Sequence, residues 1–295
     1  MQRSLIYLII LFIFIAHNES SAQSFYEKSD TLNVKRRNFV VGSTIGVGSL
    51  TVSGLYQLWY KDYPQSDFHF INDNQAWLYM DKFGHATTAY WFGSMGMKSF
   101  RWSGMSERNA IWWGGSVGLI FLTTVEIFDG FSEQWGASAG DVVANISGTA
   151  LLIGQELIWN EQRVELKFSY SPSPYADQSP ELLGKTPVQS IIKDYNGQTY
   201  WLSVNPWSFA KESSFPKWLS VSMGYGAEGM LSGSKEIPEG SYSKFLLSLD
   251  LKLSNINTGS RFWNTFFDAI NVIKVPFPAL EYNTKGNFEL HPIYF

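Results

Sequence analysis

Four long apolar segments occupy the first half of the chain and predict helices. They cover residues 39–60, 83–97, 109–125 and 142–159. The first has no charged residue and is long enough to span a bilayer, whereas the other three are shorter or of borderline length. Two glycine pairs, Gly42 with Gly46 and Gly114 with Gly118, have the spacing that lets helix backbones approach closely in membranes. The pattern therefore predicts four packed helices, either embedded in a membrane or, as the alternative, in a soluble bundle.

The second half of the chain has a different pattern, in which apolar residues alternate with polar ones. Residues 169–187 are rich in proline and serine and predict a linker. Asn196-Gly197 is a strong β-hairpin signal between two short runs. Strands are predicted at residues 191–195, 199–204, 218–225 and 245–253, and an amphipathic helix with an aromatic face at residues 261–274.

The two patterns together predict a mainly α fold. It consists of a helical bundle of about four apolar helices, embedded in a membrane, followed by a smaller C-terminal region of strands and an amphipathic helix. Arg3, a short apolar run and small residues near residue 23 are typical of a secretory signal peptide. An uncleaved N-terminal anchor is the alternative. The predicted domains are residues 1–23 (signal peptide), 24–168 (helical), 169–187 (linker) and 188–295 (mixed α/β).

Composition and charge narrow the function classes. The formal net charge of −4 gives no electrostatic basis for nucleic-acid binding, which needs a basic surface. Aromatic residues make up 17% of the chain and charged residues 16%, so much apolar surface must be covered by a core or by lipid. The sequence contains no cysteine, which removes disulfides, thiolate metal sites and a lipid-modified cysteine from the options here.

The signal peptide and the apolar segments predict where the protein resides. We expect an exported protein of the cell envelope, in a periplasm-facing membrane, with the outer membrane as one option. Membrane lipid is the expected partner, and the sequence indicates no particular protein partner.

Seven polar residues stand inside or beside the apolar segments, where uncompensated charges are unfavourable. They are Asp81, Lys82, His85, Glu126, Asp129, Asp141 and Asn145. Asp81 and His85 are four residues apart, as are Asp141 and Asn145, so each pair shares one face of a helix. In an up-and-down arrangement the start of the second segment, the end of the third and the start of the fourth lie on one side. The sequence therefore predicts that these residues form one polar site.

Three interpretations of this site are open at the level of sequence. The first is a buried structural network in which Lys82 pairs with Asp129 or Glu126 and His85 bonds to a carboxylate. The second is a binding site for a lipid headgroup or a small polar ligand. The third is a metal or hydrolytic centre that uses His85, Glu126, Asp129 and Asp141. Asp67, His69 and Asp73 in the preceding loop are further candidates, although such residues more often cap turns.

The sequence lacks the common motifs for cofactors and metals. The paired-histidine zinc motif is missing. Residues 42–49 are glycine-rich but have neither the lysine of a P-loop nor the spacing of a dinucleotide-binding turn. No cofactor is therefore indicated.

Three motifs of this chain resemble the YfiM-like family of envelope proteins. They are Asp81-Lys82-x-Gly84-His85, Glu126-x-x-Asp129-Gly130-Phe131-Ser132 and Ser138-x-x-Asp141-x-x-x-Asn145-x-x-Gly148. Residues 68–73, 198–205 and 276–281 are similar to the longer, Bacteroidetes-type form of that family. Residues 81–150 are also distantly similar to VanZ-like membrane proteins. The resemblance implies a YfiM-like/VanZ-like domain at residues 24–168 and an envelope location. Some members of the family are predicted lipoproteins, and the family's activity is not established, so no mechanism follows.

The function expected from the sequence is non-enzymatic: a membrane-associated structural or lipid-interacting component of the cell envelope. The alternative is a hydrolase or transferase that acts on envelope lipid or cell-wall precursors. In that case His85 would be the general base or a metal ligand, and Asp129 or Asp141 would orient it.

Overall fold

A computed structural model of the protein describes residue 25 and residues 27–233 and 239–295. The predicted signal peptide, residues 1–23, lies outside these described residues. The helices of ten or more residues are α1 (Val34–Leu55), α2 (Met80–Trp102), α3 (Val117–Gly130), α4 (Ala139–Trp159) and α5 (Arg261–Ile270).

Eight described strands and several short helical turns complete the chain. The strands are β1 (Phe70–Ile71), β2 (Ala137–Ser138), β3 (Val164–Tyr170), β4 (Gln198–Val204), β5 (Leu219–Glu228), β6 (Tyr242–Leu251), β7 (Phe277–Asn283) and β8 (Phe288–Tyr294). The short turns are Tyr56–Tyr60, Ala76–Tyr79, Glu107–Asn109, Ala110–Gly114, Pro180–Leu183, Pro187–Lys193, Pro206–Phe209 and Leu253–Asn255.

α2 is the central helix of the N-terminal part, because α3 and α4 pack along it and the large sheet lies against it. Glycines permit the closest crossings. A Cβ at Gly118 of α3 would overlap the carbonyl group of Ala89, and a Cβ at Gly148 of α4 would overlap that of Ala86. By contrast, no described atom lies within 4 Å of a Cβ placed at Gly42. The predicted glycine packing is therefore seen at Gly118, whereas the pair that begins at Gly42 contacts nothing in the described part of the chain.

Three helical stretches among the described residues are long and apolar enough to cross a membrane. They are Val34–Tyr60, Glu107–Gly130 and Ala139–Trp159. The core between the helices is formed by Tyr90, Trp91, Met97, Ile111, Leu152 and Ile153. The apolar segments therefore have two kinds of surface, one packed on α2 and one left open by the described residues.

The strands of the C-terminal part form a six-stranded antiparallel sheet in the order β3-β4-β5-β6-β7-β8. The sheet curls strongly, since Trp201 of β4 and Tyr294 of β8 have ring centroids 5.8 Å apart although three strands lie between them. In a flat sheet that separation would be about 19 Å, four strand spacings. Phe168 of β3 also pairs in parallel with Ile273, just ahead of β7. The curled sheet therefore encloses an interior.

The polarity of the sheet is the reverse of that in most water-soluble domains. Its interior contains an ion pair between Lys167 and Asp250, with Nζ and Oδ2 2.8 Å apart and both side chains 0% exposed. Large apolar residues stand on the outer face and are exposed: Met223, Phe245, Leu247, Leu249, Leu280 and Tyr282. Part of this outer face is covered by α2, where the ring of Phe83 stacks on Tyr225 at 4.6 Å.

The prediction of a mainly α fold is wrong. About 48% of the chain is helical and 21% is strand, and the strands form one large sheet. The predicted four-helix bundle is also not supported as an independent unit, because one face of α2 packs on β3, β4 and β5. Strand formation was underestimated because β3, β7 and β8 were not predicted, and β7 and β8 contain Pro278 and Pro292, a residue type that is uncommon inside strands.

Individual elements of the prediction have different outcomes. The four N-terminal helices, the strand over residues 245–253 and the helix that begins at Arg261 are confirmed. The strand predicted at residues 191–195 is wrong, because Pro187–Lys193 is helical. Thr186 caps that turn by accepting a hydrogen bond from the backbone N–H of Gln189, and proline fits the first helical position. The division into domains at residues 168 and 188 stays a prediction.

Candidate functional site

The first turn of α2 is positioned by an unusual stretch of backbone. Trp77, Leu78 and Tyr79 have φ values of 53°, 51° and 66°. Three consecutive non-glycine residues in the left-handed region are unfavourable by about 1–2 kcal/mol each. Conformations of this kind persist only where the surrounding structure enforces them, and they concentrate at functional sites. This bend delivers Asp81 and Lys82 into the space between α2 and the start of α4.

Ser138 links the elements that surround this space. Its hydroxyl donates a hydrogen bond to Asp73 Oδ1 at 2.5 Å and accepts one from the backbone N–H of Asp141 at 3.3 Å, which caps α4. Its own backbone N–H donates to Glu126 Oε2 at 2.9 Å. The loop before α2, the end of α3 and the start of α4 are therefore tied together at one residue.

Lys82 is the cationic centre of the group. Its Nζ lies 2.9 Å from Asp73 Oδ1, 3.1 Å from Asp81 Oδ2 and 2.8 Å from Asp141 Oδ1. The sequence predicted pairing with Glu126 or Asp129, and the structure instead pairs Lys82 with three other carboxylates. Asp73 was considered only as a minor candidate in the preceding loop.

His85 lies deeper, one helical turn after Asp81. Its Nδ1 is 3.1 Å from Asn145 Oδ1, so an Nδ1–H can donate to the amide. Its Nε2 is 3.8 Å from Asp81 Oδ1 and 3.9 Å from Asp141 Oδ1, distances too long for hydrogen bonds. Glu126 Oε1 lies 3.8 Å from Nδ1. The predicted bond from His85 to a carboxylate is therefore replaced by a bond to Asn145.

We refer to these residues as the polar centre. It comprises Asp73, Asp81, Lys82, His85, Glu126, Asp141 and Asn145. Six of its members are among the seven residues singled out from the sequence. Asp129, the seventh, lies to one side and accepts a hydrogen bond from the Tyr60 hydroxyl at 2.6 Å. The structure thus brings together all the predicted residues except Asp129, which belongs to an adjoining contact with the end of the first membrane-length stretch.

Sequence reasoning missed two tyrosines that donate to carboxylates here. Tyr195 donates to Asp81 Oδ1 at 2.7 Å across 114 residues of chain, and Tyr60 reaches Asp129. No local pattern marks either residue, because their contacts form only when the sheet and α1 pack. Ser138, by contrast, stands in a recognisable sequence pattern, because Ser138-x-x-Asp141 has the spacing of a helix cap.

Opposite charges control the ionisation of the groups on α2. Burial opposes the charged form of Asp81, but the positive charges of His85 and Lys82 outweigh burial and lower the pKa of this carboxyl to about 2. Burial likewise disfavours a protonated Lys82, and the charges of Asp81 and Asp141 raise its pKa nevertheless. The pKa of His85 is raised against burial by Asp81, Asp141 and Glu126.

Some buried polar atoms of the polar centre have no hydrogen-bond partner among the described residues. They include Glu126 Oε1 and Asn145 Nδ2. Buried polar groups are nearly always satisfied, so unpaired atoms of this kind need an explanation. A cleft of about 600 Å³ is lined by Asn72, Asn74, Gln75 and Tyr79, which flank Asp73 in the chain. Chemically, an imidazole surrounded by carboxylates can hold a cation or transfer a proton.

A comparison with protein families agrees with the predicted location. Residues 69–154 match the profile of a family described as "Predicted periplasmic lipoprotein (DUF2279)". The matched range includes the whole polar centre and covers less than a third of the chain. The protein is therefore an exported component of the cell envelope. The match confirms neither the YfiM-like nor the VanZ-like resemblance.

The description of that family as a lipoprotein raises a question of chemistry, because bacterial lipoproteins are lipid-modified on a cysteine. None of the 295 residues is a cysteine.

A search of curated proteins and a search of solved structures found no match to this chain.

Proposed function

We propose that this envelope protein is a membrane-embedded structural or lipid-interacting component, whose polar centre holds its membrane helices together. The observation that carries the proposal is the outward-facing apolar surface of Val34–Tyr60, Glu107–Gly130 and Ala139–Trp159. Ile45, Ile120 and Ile158, one from each stretch, are 64%, 59% and 72% exposed. Apolar surface of this extent on three long helices is typical of contact with lipid.

The outer face of the curled sheet supports the same proposal. Leu247 and Leu249 of β6 and Leu280 of β7 project outward, while Ser248 and Asp250 project inward. Strands that contact lipid have this arrangement, with apolar residues outside and polar residues inside. The sheet thus continues the apolar surface of the helices.

α5 supports a location at the membrane boundary. Phe262, Trp263 and Phe266 are exposed on one side of this ten-residue helix, and Asp268 pairs with Lys98 on another. Amphipathic helices with an aromatic apolar face lie in the interface between headgroups and acyl chains. Tryptophan side chains are in general enriched in that interfacial layer.

The polar centre suits a structural role in this setting. It joins α2, α3, α4 and the loop before α2 through ion pairs and hydrogen bonds that have little contact with water. Such interactions are stronger in a medium of low dielectric, and their loss is correspondingly more damaging. The centre would therefore fix the relative positions of helices that the hydrophobic effect cannot hold together within lipid.

Fractionation of the native envelope tests the proposal. We expect the protein to stay in the membrane pellet after a wash in alkaline carbonate, which removes peripheral proteins. Separation of inner from outer membranes then identifies which one contains it. Known peripheral and integral envelope proteins, followed in the same fractions, serve as controls. Release of the whole population into the carbonate supernatant would contradict the proposal and would leave a periplasmic protein with a buried polar network.

A further inference from the structure

Three ligand-type atoms of the polar centre face one another without a hydrogen bond between them. His85 Nε2 is 3.8 Å from Asp81 Oδ1 and 3.9 Å from Asp141 Oδ1, and all three atoms lie within 4.8 Å of one another. Ligand atoms that share one ion, each about 2.0–2.2 Å from it, are separated by about 3–4 Å. The spacing is therefore too long for direct bonds and close to that of a shared cation.

The charges around these atoms are unbalanced. Lys82 is the cationic side chain among the carboxylates of the polar centre and the adjoining Asp129, because His85 must be neutral to bind a metal ion. Those carboxylates are Asp73, Asp81, Glu126, Asp129 and Asp141. Buried charges are tolerated when they are paired or bind a metal. Carboxyl groups therefore outnumber cationic side chains at this point in the structure, and a bound cation would stabilise their ionised forms.

A second, independent observation is the state of Asp141. Its side chain is 6% exposed, and its Oδ1, 3.9 Å from His85 Nε2, has no hydrogen-bond partner among the described residues, although Lys82 Nζ forms an ion pair with it at 2.8 Å. Its other oxygen accepts a hydrogen bond from Lys82 at 2.9 Å. The buried Oδ1 atom is therefore fixed in place, faces Nε2 and is available to a bound ion.

The surroundings of His85 favour ligation through Nε2. Asn145 Oδ1 accepts from Nδ1, which leaves the lone pair of a neutral imidazole on Nε2, the atom that faces Asp81 and Asp141. Metal-bound histidines are commonly oriented by such a bond from the other ring nitrogen. Tyr195 and Lys82 hold Asp81 through hydrogen bonds, so the carboxylates are also fixed in place.

We propose that Asp81, His85 and Asp141 bind one divalent cation. A set of one imidazole and two carboxylates suits Mn²⁺ or Zn²⁺ better than a soft metal. Lys82 contacts the same oxygen of Asp141 and would share it with the ion. The proposal does not depend on membrane embedding, because every ligand belongs to the polar centre itself.

Titration of the purified full-length protein with Mn²⁺ tests this proposal. Free aqueous Mn²⁺ gives a strong six-line electron paramagnetic resonance signal that is lost on binding. We expect the wild-type protein to bind Mn²⁺ saturably at a site in the polar centre. In His85→Gln and in Asp141→Asn this site is expected to be lost or to bind Mn²⁺ at least tenfold more weakly. Circular dichroism and the melting temperature establish that each variant is folded before it is titrated.

A second cluster supplies a matched control. Glu281, Glu289 and His291 also lie within reach of a common ion, but on β7 and β8, outside the polar centre. His291→Gln is expected to keep the polar-centre site. If either polar-centre variant does not fold, the spin-echo spectrum of Mn²⁺ bound to His291→Gln must still show coupling to an imidazole nitrogen.

Three results would overturn the proposal. The first is an absence of saturable Mn²⁺ or Zn²⁺ binding up to millimolar concentration. The second is unchanged binding in folded His85→Gln. The third is loss of the only site in His291→Gln, which would assign the ion to the other cluster. None of them would bear on retention of the protein in carbonate-washed membranes, so the two proposals fail separately.

Discussion

Replacing Lys82 with Met is expected to lower the free energy of unfolding by about 3–5 kcal/mol, the range found when one partner of a buried ion pair is removed. The ammonium contacts Asp73, Asp81 and Asp141 at 2.8–3.1 Å, and only 13% of its side chain is exposed. Met preserves the aliphatic stem but leaves the three carboxylates facing one another. Equilibrium unfolding of the detergent-solubilised protein, followed by tryptophan fluorescence, measures the loss.

Lys98→Met is the matched control, because Lys98 lies on the same helix and also forms an ion pair. Its Nζ is 2.8 Å from Asp268 Oδ1, but the two side chains are 40% and 35% exposed. Exposed pairs contribute about 0–1 kcal/mol. Equal, small losses in Lys82→Met and Lys98→Met would contradict the structural role that we assign to the polar centre.

Gly148→Val is expected to destabilise the protein by about 3 kcal/mol or more. Overpacking usually costs about 1–3 kcal/mol, and here the added Cβ would overlap the backbone carbonyl of Ala86, which no change of rotamer can move. Relief requires α2 and α4 to separate, and this would also pull Asp141 and Asn145 away from Lys82 and His85. The melting temperature and the fraction of monodisperse protein after gel filtration report the effect.

Gly42→Val provides the comparison for this substitution. Both glycines are in long helices and both belong to small-residue patterns, but nothing among the described residues lies within 4 Å of a Cβ at Gly42. The control is expected to leave stability within about 0.5 kcal/mol of the wild type, the usual range for surface substitutions. A Gly148→Val protein as stable as the wild type would mean that α2 and α4 do not approach each other closely at this residue.

The sequence was informative where one feature dominated. Long apolar segments predicted the four N-terminal helices because few other structures hide so much apolar surface. The spacing of Asp81 to His85 and of Asp141 to Asn145 correctly implied shared helix faces that meet, as the bond between His85 and Asn145 demonstrates. Charges in apolar segments are rare enough that their positions alone located the polar centre.

Other features depend on contacts between distant parts of the chain. The ion-pair partners of Lys82 could not be identified from the sequence, because several carboxylates lie within reach of it. Asp73 becomes a partner only because the loop before α2 packs beside this helix. Tyr195 meets Asp81 only after the sheet has formed. The sheet itself was underestimated because two of its unpredicted strands, β7 and β8, contain Pro278 and Pro292, and proline argues against a strand at the level of sequence.

We expect the exposed faces of the three long apolar stretches to contact lipid. Because the chain contains no cysteine, a single introduced cysteine reports on its own position. We would place one at Ile45, Ile120 or Ile146, each exposed in the structure, and one at the exposed Asp177 outside these stretches as a control.

Isolated membranes that contain each variant would be treated with a charged maleimide before and after solubilisation in detergent. Asp177→Cys is expected to react in both conditions, whereas Ile45→Cys, Ile120→Cys and Ile146→Cys are expected to react only after solubilisation. Rapid labelling of all three apolar positions in intact membranes would mean that these faces contact water or an aqueous cavity. That result would contradict contact between these faces and lipid.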